Sequence, residues 1–459
     1  MKLRMLHILL ISLLVLSMAL PLFACDGGNA PADTTAPAES SEAPTTEAPT
    51  EEPTEEVTEA PMPTEVSLPE GYTAPDVTYE CQDDSIFYGF AGKTEESFNT
   101  VLEGYKALGF RVYSDLTKNG SRFATLVGDG PLAHIYWLKN TGELNIVLSP
   151  TAAATLPPVT PAVTAGDTPV TVTQMRDANH VNGMGYFVQL ADGSFIVFDG
   201  AYSDQSRRLV KAMKELCPAG QKPVVRAWVL SHSHDDHWPT FSQIAKRQAS
   251  EITVEYVIFS PIDPEIAVSE NGDTYFNTDV HADIAKFGAK TVYAHTGMEF
   301  TFCNLKMEVL LSSDDIYKDN VSHGAWFFNN SSTVVRLYDE SYSFLVMGDI
   351  GKVGAELMMG VYGDYLKSDM IQIAHHGVED VPLEFYEVAK GSILFYPCSQ
   401  WLYDQTDRHY DVRMALRERD YTKEILIAGL GQYTRAWGTV YEADAPLSTP
   451  DHPDYAPKA

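Results

Sequence analysis

Val229-Leu-Ser-His-Ser-His-Asp-Asp-His237-Trp238 gathers three histidines and two acids, His232, His234, Asp235, Asp236 and His237, into six residues. The apolar run 227–230 leads straight into them, which reads as a buried strand ending in a loop. On extended backbone His232 and His234, two apart, project to the same side. Asp236 and His237 follow where the chain turns into its next element, placed to hold a second ion beside the first. Imidazole with carboxylate is the donor set of Zn²⁺ or a similar divalent cation. A solvated polar loop is the competing reading. Histidine is otherwise thinly spread, 13 in 459 residues, and the spacing has a mechanical use, so the metal reading is preferred. Downstream, Phe344-Leu-Val-Met-Gly-Asp349 is another apolar strand ending in a donor, a carboxylate able to bridge two ions. A plain turn aspartate is its alternative.

His-x-His-x-Asp-His after an apolar strand resembles the signature of the metallo-β-lactamase superfamily. Its oxygen-reducing diiron branch carries Glu where this chain has His234, so the resemblance favours hydrolysis over redox chemistry. The Asp192-Gly193 turn and the Phe198-Asp199-Gly200 ending resemble the superfamily's first strands, which gives Asp199 a loop-ordering role and not a ligand's. The series Asn329-Asn-Ser331, Gly348-Asp349 and His375-His-Gly377 is similar to the hydrolase domain of DNA-uptake competence channels and related secreted phosphodiesterases, over about residues 166–440.

What the resemblance implies is specific. The fold is an α/β (α+β) four-layer αββα sandwich with the site at the edge between its two sheets. Two divalent ions, Zn²⁺ first and Mn²⁺ second, are held by His232, His234, Asp236, His237, a bridging Asp349 and one histidine of the adjacent pair. His375 is taken as that ligand, and His376 as the residue facing substrate or a supporting acid. Where the superfamily has a further histidine this chain reads Asn329-Asn-Ser; His323 comes too early, and His281 and His295 belong to other elements. The first ion is left with His232, His234 and Asp349. Asn330 is placed to orient a substrate oxygen, an ordinary turn asparagine being the alternative. Asp236 is ligand first and proton acceptor second. The cations lower the pKa of a bridging water, and the resulting hydroxide attacks phosphorus or carbonyl carbon.

Charge narrows the substrate. The formal net charge is −31. Setting aside the thirteen acids of residues 26–76 and the two basic residues of 1–25 leaves −20 on the remainder, which argues against a long nucleic-acid partner. The expected substrate is a small or membrane- or wall-borne phosphodiester. Lys2 and Arg4 precede an apolar run over 5–22 that ends Leu22-Phe-Ala-Cys25, a secretory signal with a lipobox-like end in which Cys25 is the lipidated residue. The chain is therefore expected outside the cytoplasm, anchored to a membrane. Cys81, Cys217, Cys303 and Cys398 contain no CxxC pair; one disulfide is permitted but not indicated, and they read as mostly buried small hydrophobes.

The remaining domains follow in order. Residues 26–76 are Thr, Glu, Pro and Ala, a disordered spacer. Residues 77–150 read as a small accessory domain, one helix on an antiparallel sheet, with Thr94 as N-cap and Gly109 as stop. Residues 151–169 read as a Pro/Thr linker and 170–459 as the hydrolase domain. Tyr396, Trp401, Tyr403 and His409 read as packing under a long loop, with a substrate wall as the alternative. Two other functions compete with the phosphodiesterase: an ester, lactone or β-lactam hydrolase, and a lipid-anchored binding protein whose metal is structural.

Overall fold

Strand-length apolar runs alternating with helical ones build two layers of sheet between two layers of helix in the computed structural model, which describes residues 61–161, 166–177, 179–261, 276–318, 327–378 and 381–449. The signal segment, Cys25 and most of the expected spacer lie outside these residues. Among the described residues no helix is long and apolar enough to cross a membrane.

The N-terminal sheet is formed by β1 Val77–Glu80, β2 Ile86–Phe90, β3 Arg111–Lys118, β4 Ser121–Val127, β5 Leu132–Leu138 and β6 Glu143–Ser149, all antiparallel in the order β1-β2-β6-β5-β4-β3. The helix Glu95–Ala107 covers one face, setting Phe98, Val101, Leu102 and Tyr105 against Ala124, Leu126, Ile135 and Ile146. Thr94 caps its start by accepting the Ser97 N–H, and Gly109 at φ +93° supplies the left-handed turn after its end. The expected spacer does not run to 76. Pro63 O accepts the Asp129 N–H, Ser67 O accepts the Tyr105 hydroxyl, and Val66, Leu68 and Tyr72 pack on the same core. Proline removes a donor but leaves its carbonyl free for such bonds. The expected linker 151–169 likewise begins with a 3-10 turn, Ala152–Thr155.

The first sheet of the main sandwich contains β7 Thr171–Gln174, β8 Gly185–Gln189, β9 Phe195–Asp199, β10 Val224–Val229, β11 Thr253–Phe259 and β12 Lys290–Tyr293. The second contains β13 Glu299–Phe302, β14 Leu305–Leu311, β15 Val334–Tyr338, β16 Ser343–Val346, β17 Met370–Gln372, β18 Ile393–Tyr396 and β19 Glu424–Ile427. A last strand, β20 Tyr433–Ala436, returns to pair with β7. Strands β9 to β12 run parallel, as do β16 to β19. Period-two alternation then assigns each layer. Val188, Ile196, Phe198, Ala227 and Val229 face Met307, Val335, Phe344, Val346 and Phe395 between the sheets. Phe187, Val197 and Trp228 turn outward under the helices Ser206–Leu216, Pro239–Arg247 and Phe276–Phe287. Leu345, Ile371 and Leu394 turn outward under Lys352–Tyr362, Leu383–Ala389 and Tyr410–Arg417. This is the αββα sandwich.

The small sheet is not a loosely tethered module. Its second face contributes Phe87, Phe123, Tyr136 and Val147 to the core that holds Leu310, Met358 and Tyr362. Buried polar contacts fasten the same seam. Lys118 Nζ lies 2.6 Å from Glu308 Oε2, Arg336 holds the other oxygen of Glu308, and His134 Nε2 donates to Thr296 O at 2.9 Å. All four described cysteines are free; Cys398 alone is fully buried, and Cys81, Cys217 and Cys303 are half-buried.

Candidate metal centre

Five strand ends on the two sheets supply the site, in keeping with the tendency of α/β sheets to bind ligands beyond the carboxyl ends of their strands. β9 ends in Asp199, β10 leads to Ser231 and His232, β16 to Gly348-Asp349, β17 to the two histidines, and β18 to Pro397. Gly348 is needed where it stands. Its φ is +55°, and a Cβ there would lie 2.8 Å from atoms of both Ser231 and Ser332.

Two donor groups share one carboxylate: His232, His234 and Asp349 form one, and Asp236, His237, His376 and Asp349 the other. His232 Nε2 and His234 Nδ1 face each other at 3.0 Å. Asp349 Oδ2 lies 3.2 Å from both His237 Nε2 and His376 Nε2, and 3.9 Å from His232 Nε2. His237 Nε2, His376 Nε2 and Asp349 Oδ1 are buried without a hydrogen-bond partner. Buried polar atoms of this kind are costly unless something satisfies them, and a cation between them would do so.

Neighbours outside the groups fix the tautomers. Asp199 accepts the Ser231 N–H at 2.7 Å, the Ser231 hydroxyl at 2.6 Å and His237 Nδ1–H at 2.7 Å, so His237 presents Nε2. Trp228 Nε1 in turn donates to Asp199 O. His376 Nδ1–H donates to Pro397 O at 2.7 Å, leaving its Nε2 for the group. Such outer partners orient metal-binding imidazoles and raise their basicity.

Electrostatics match a cation. Burial and the neighbouring His237 and His234 push His232 well down, and burial also lowers His234, so both offer neutral lone pairs. Burial opposes charge on His237 and His376 as well, but Asp349 and Asp236 outweigh it, raising His237 and bringing His376 to about 10. Burial likewise works against the two carboxylates, and His237 and His376 overcome it to hold both below the usual range. A field that retains protons on two imidazoles also favours a divalent cation.

Three expectations are corrected or completed. His376, not His375, joins the donor group. Both residues adopt left-handed backbone, φ +47° and +59°, a sharp turn that aims His376 inward. His375 Nε2 instead lies 3.3 Å from Asn329 Nδ2. The Oδ1 of Asn330 accepts the N–H groups of Gly351 and Gly354 and so caps the helix Lys352–Tyr362. The asparagine at the site is Asn329, 1% exposed with Oδ1 unpartnered, its neighbour Phe328 packing on the His234 ring at 5.6 Å. Of the late aromatics, Tyr396 and Tyr403 are buried edge to face, whereas Trp401 is exposed. Sequence reading also missed Asn182 and Tyr202, for which no local motif gave a signal. Asn182 Nδ2 donates to Asp236 Oδ2, and Tyr202 donates to Asn182 Oδ1 at 3.1 Å.

No family model and no curated protein matches the chain. Among solved structures, the metallo-beta-lactamase fold protein YhfI from Bacillus subtilis aligns over 59% of this chain and 100% of its own, at 14% identity and a TM-score of 0.36. Zn(2+)-bound PqqB from Methylobacterium extorquens aligns over 44% of this chain and 72% of its own, at 9% identity and a TM-score of 0.29. A metallo beta lactamase from Hirschia baltica aligns over 40% and 72%, at 13% identity and a TM-score of 0.24.

Proposed function

We propose that this protein is a metal-dependent hydrolase that cleaves phosphodiesters. The observation that carries the reading is the convergence of His232 and His234 from one side, and Asp236, His237 and His376 from the other, on the single carboxylate of Asp349. Divalent cations held there, Zn²⁺ first and Mn²⁺ second, supply Lewis acidity and acidify water beside them. The chain's own residues do the rest. Asp199 and Pro397 O hold the two imidazoles in register, and the carboxylates of Asp236 and Asp349 set the negative field.

Among the described residues, Cys398, Ser231 and Ser233 near the site are not built as nucleophiles. Burial pushes the Cys398 thiol up to about 12, the Ser231 hydroxyl is spent on Asp199, and Ser233 Oγ has no hydrogen-bonded base. Attack by water fits what remains. The site opens to solvent through His234, Asp235 and Asn182, unlike the closed four-coordinate shell of a structural metal. That supports an enzyme over a binding protein with a structural ion.

The phosphodiester preference rests on the donors beside the first group. Ser332 Oγ faces His232 Nδ1 at 3.4 Å, and the Asn329 amide with His375 offers polar contacts to an anionic oxygen where a further metal-binding histidine would otherwise stand. Ester, lactone and β-lactam hydrolysis is the second reading. The lipobox-like Leu22-Phe-Ala-Cys25 supports action outside the cytoplasm, held at a membrane by lipid on Cys25. Metal analysis of the purified protein, followed by a panel of chromogenic phosphodiesters, esters and lactams, tests the proposal. Two metal equivalents and phosphodiester turnover that vanishes in His234→Ala are expected. Ester or lactam turnover without phosphodiester cleavage overturns it.

A further inference from the structure

The loop between β7 and β8 is tied to the second donor group by a chain of side chains that the catalytic reading leaves unexplained. Asp177 closes the loop on itself. Its Oδ1 accepts the N–H groups of Asn179 and His180, and its two oxygens take His180 Nδ1–H at 2.9 and 3.0 Å. The His180 ring stacks on Tyr202, centroids 4.0 Å apart and planes 25° from parallel. Tyr202 donates its hydroxyl to Asn182 Oδ1, and Asn182 Nδ2 donates to Asp236 Oδ2.

The order of this chain is chemically determined. An asparagine amide can be turned end for end without changing its shape. Turned the other way, Asn182 would set its carbonyl oxygen against the Asp236 carboxylate, two acceptors facing. A phenol that donates to Oδ1 leaves the NH₂ end toward the carboxylate. Backbone bonds reinforce the placement: Met184 N–H donates to Asp236 O at 2.9 Å, and Gly183 N–H donates to Pro397 O, which also accepts His376 Nδ1–H. The loop therefore touches the supports of Asp236 and His376. None of these contacts reaches His232 or His234.

We infer that Asn182, oriented by Tyr202, is a positioning residue that sets the cation affinity of the Asp236–His237–His376–Asp349 group, leaving the His232–His234–Asp349 group untouched. This rests on the reading of both groups as cation sites. Among the described residues, Asp236 Oδ2 otherwise faces His376 Nε2 at 3.0 Å. Without the amide the carboxylate is free to rotate away from the group, and its ligand oxygen is no longer held in place. Tyr202 acts only through the amide, so its contribution disappears when the amide is gone.

The experiment is zinc titration of the metal-stripped full chain against a competing chromophoric chelator, with thermal midpoints of the metal-stripped forms measured in parallel. Wild type takes up two equivalents. Asn182→Ala weakens one of them by about 10- to 100-fold and leaves the other unchanged, while Tyr202→Phe weakens the same one by less. The double variant matches Asn182→Ala alone, because the two residues lie on one path. Both positions are partly exposed, and Tyr202→Phe keeps the ring that stacks on His180, so the metal-stripped midpoints stay together. Equal weakening of both equivalents, no weakening of either, or additive effects in the double variant would overturn the inference. A wild type that binds no zinc overturns the cation-site reading itself and the inference with it.

Discussion

His375 and His376 stand side by side in the sequence, and a left-handed turn gives them different work. Two non-glycine residues at positive φ cost about 1–3 kcal/mol each, a strain kept where surrounding structure enforces it. Their roles should separate cleanly. His376→Ala loses one metal equivalent and turnover, whereas His375→Ala keeps both equivalents and loses activity through substrate contact. Asp349→Asn goes further, because both groups use that carboxylate: both equivalents should be lost, against one in His237→Ala. Metal content of the four purified variants checks the series, and an Asp349→Asn protein that retains one full equivalent would deny it the bridging role. The His-x-His-x-Asp-His cluster was legible because its donors are neighbours on the chain. Which of two adjacent histidines turns inward was not, because a backbone torsion decides it. The same limit hid which of Asn329 and Asn330 lies beside His375. The two are alike in sequence, and only the helix starting at Lys352, whose first N–H groups need an acceptor, claims one of them. Asn182 lies 54 residues from the aspartate it holds, beyond any local pattern.

At the scale of elements, what sequence could not show is docking. The alternation in β4 to β6 and the Thr94 cap indicate a helix on a sheet. β5 is buried on both faces, but which surface meets its second face has no local signature. That face meets the main sandwich, and His295 is the pin. Its Nε2 lies 3.2 Å from Asp83 of the small domain, and its Nδ1–H bonds Asp314 beyond β14 at 2.6 Å. Burial opposes charge on this imidazole, yet Asp314 and Asp83 outweigh it and raise its pKa to about 10. A raised value means that the folded state holds the proton more tightly than the unfolded chain, whose histidine titrates near ~6.5. The stabilisation is therefore complete below about 6.5 and is lost progressively as pH climbs to about 10. His295→Gln leaves two buried carboxylates facing a neutral amide and should cost about 3–5 kcal/mol at neutral pH. Denaturant unfolding of both proteins from pH 6 to 10.5 checks this: the gap between them should narrow steadily over that window. A gap that is constant with pH would show that His295 contributes packing and not charge.

On the scale of the whole molecule, charge and site pull in opposite directions. The site gathers candidate cation ligands and the proposed substrate is an anionic diester, yet the chain carries −31 overall and −20 without its N-terminal 76 residues. A long polyanion gains from phosphate contacts only where basic residues line its path, and here it would meet repulsion along most of that path. A small diester, or one presented at a membrane, enters the site without laying charge across the rest of the surface. The sign of the salt effect follows. For a polyanion-binding nuclease, raising salt from about 50 to about 200 mM lowers affinity steeply as counterion release loses its advantage. Here salt should screen repulsion between an anionic substrate and an acidic surface, so kcat/KM for a small phosphodiester should rise, by a few-fold at most, over that range. Steady-state kinetics on a chromogenic diester at fixed free metal measure it directly, with duplex and single-stranded DNA as competitors. Nanomolar inhibition by DNA that weakens with salt would show that a local basic path outweighs the overall field, and would move the substrate class from small diesters to nucleic acid.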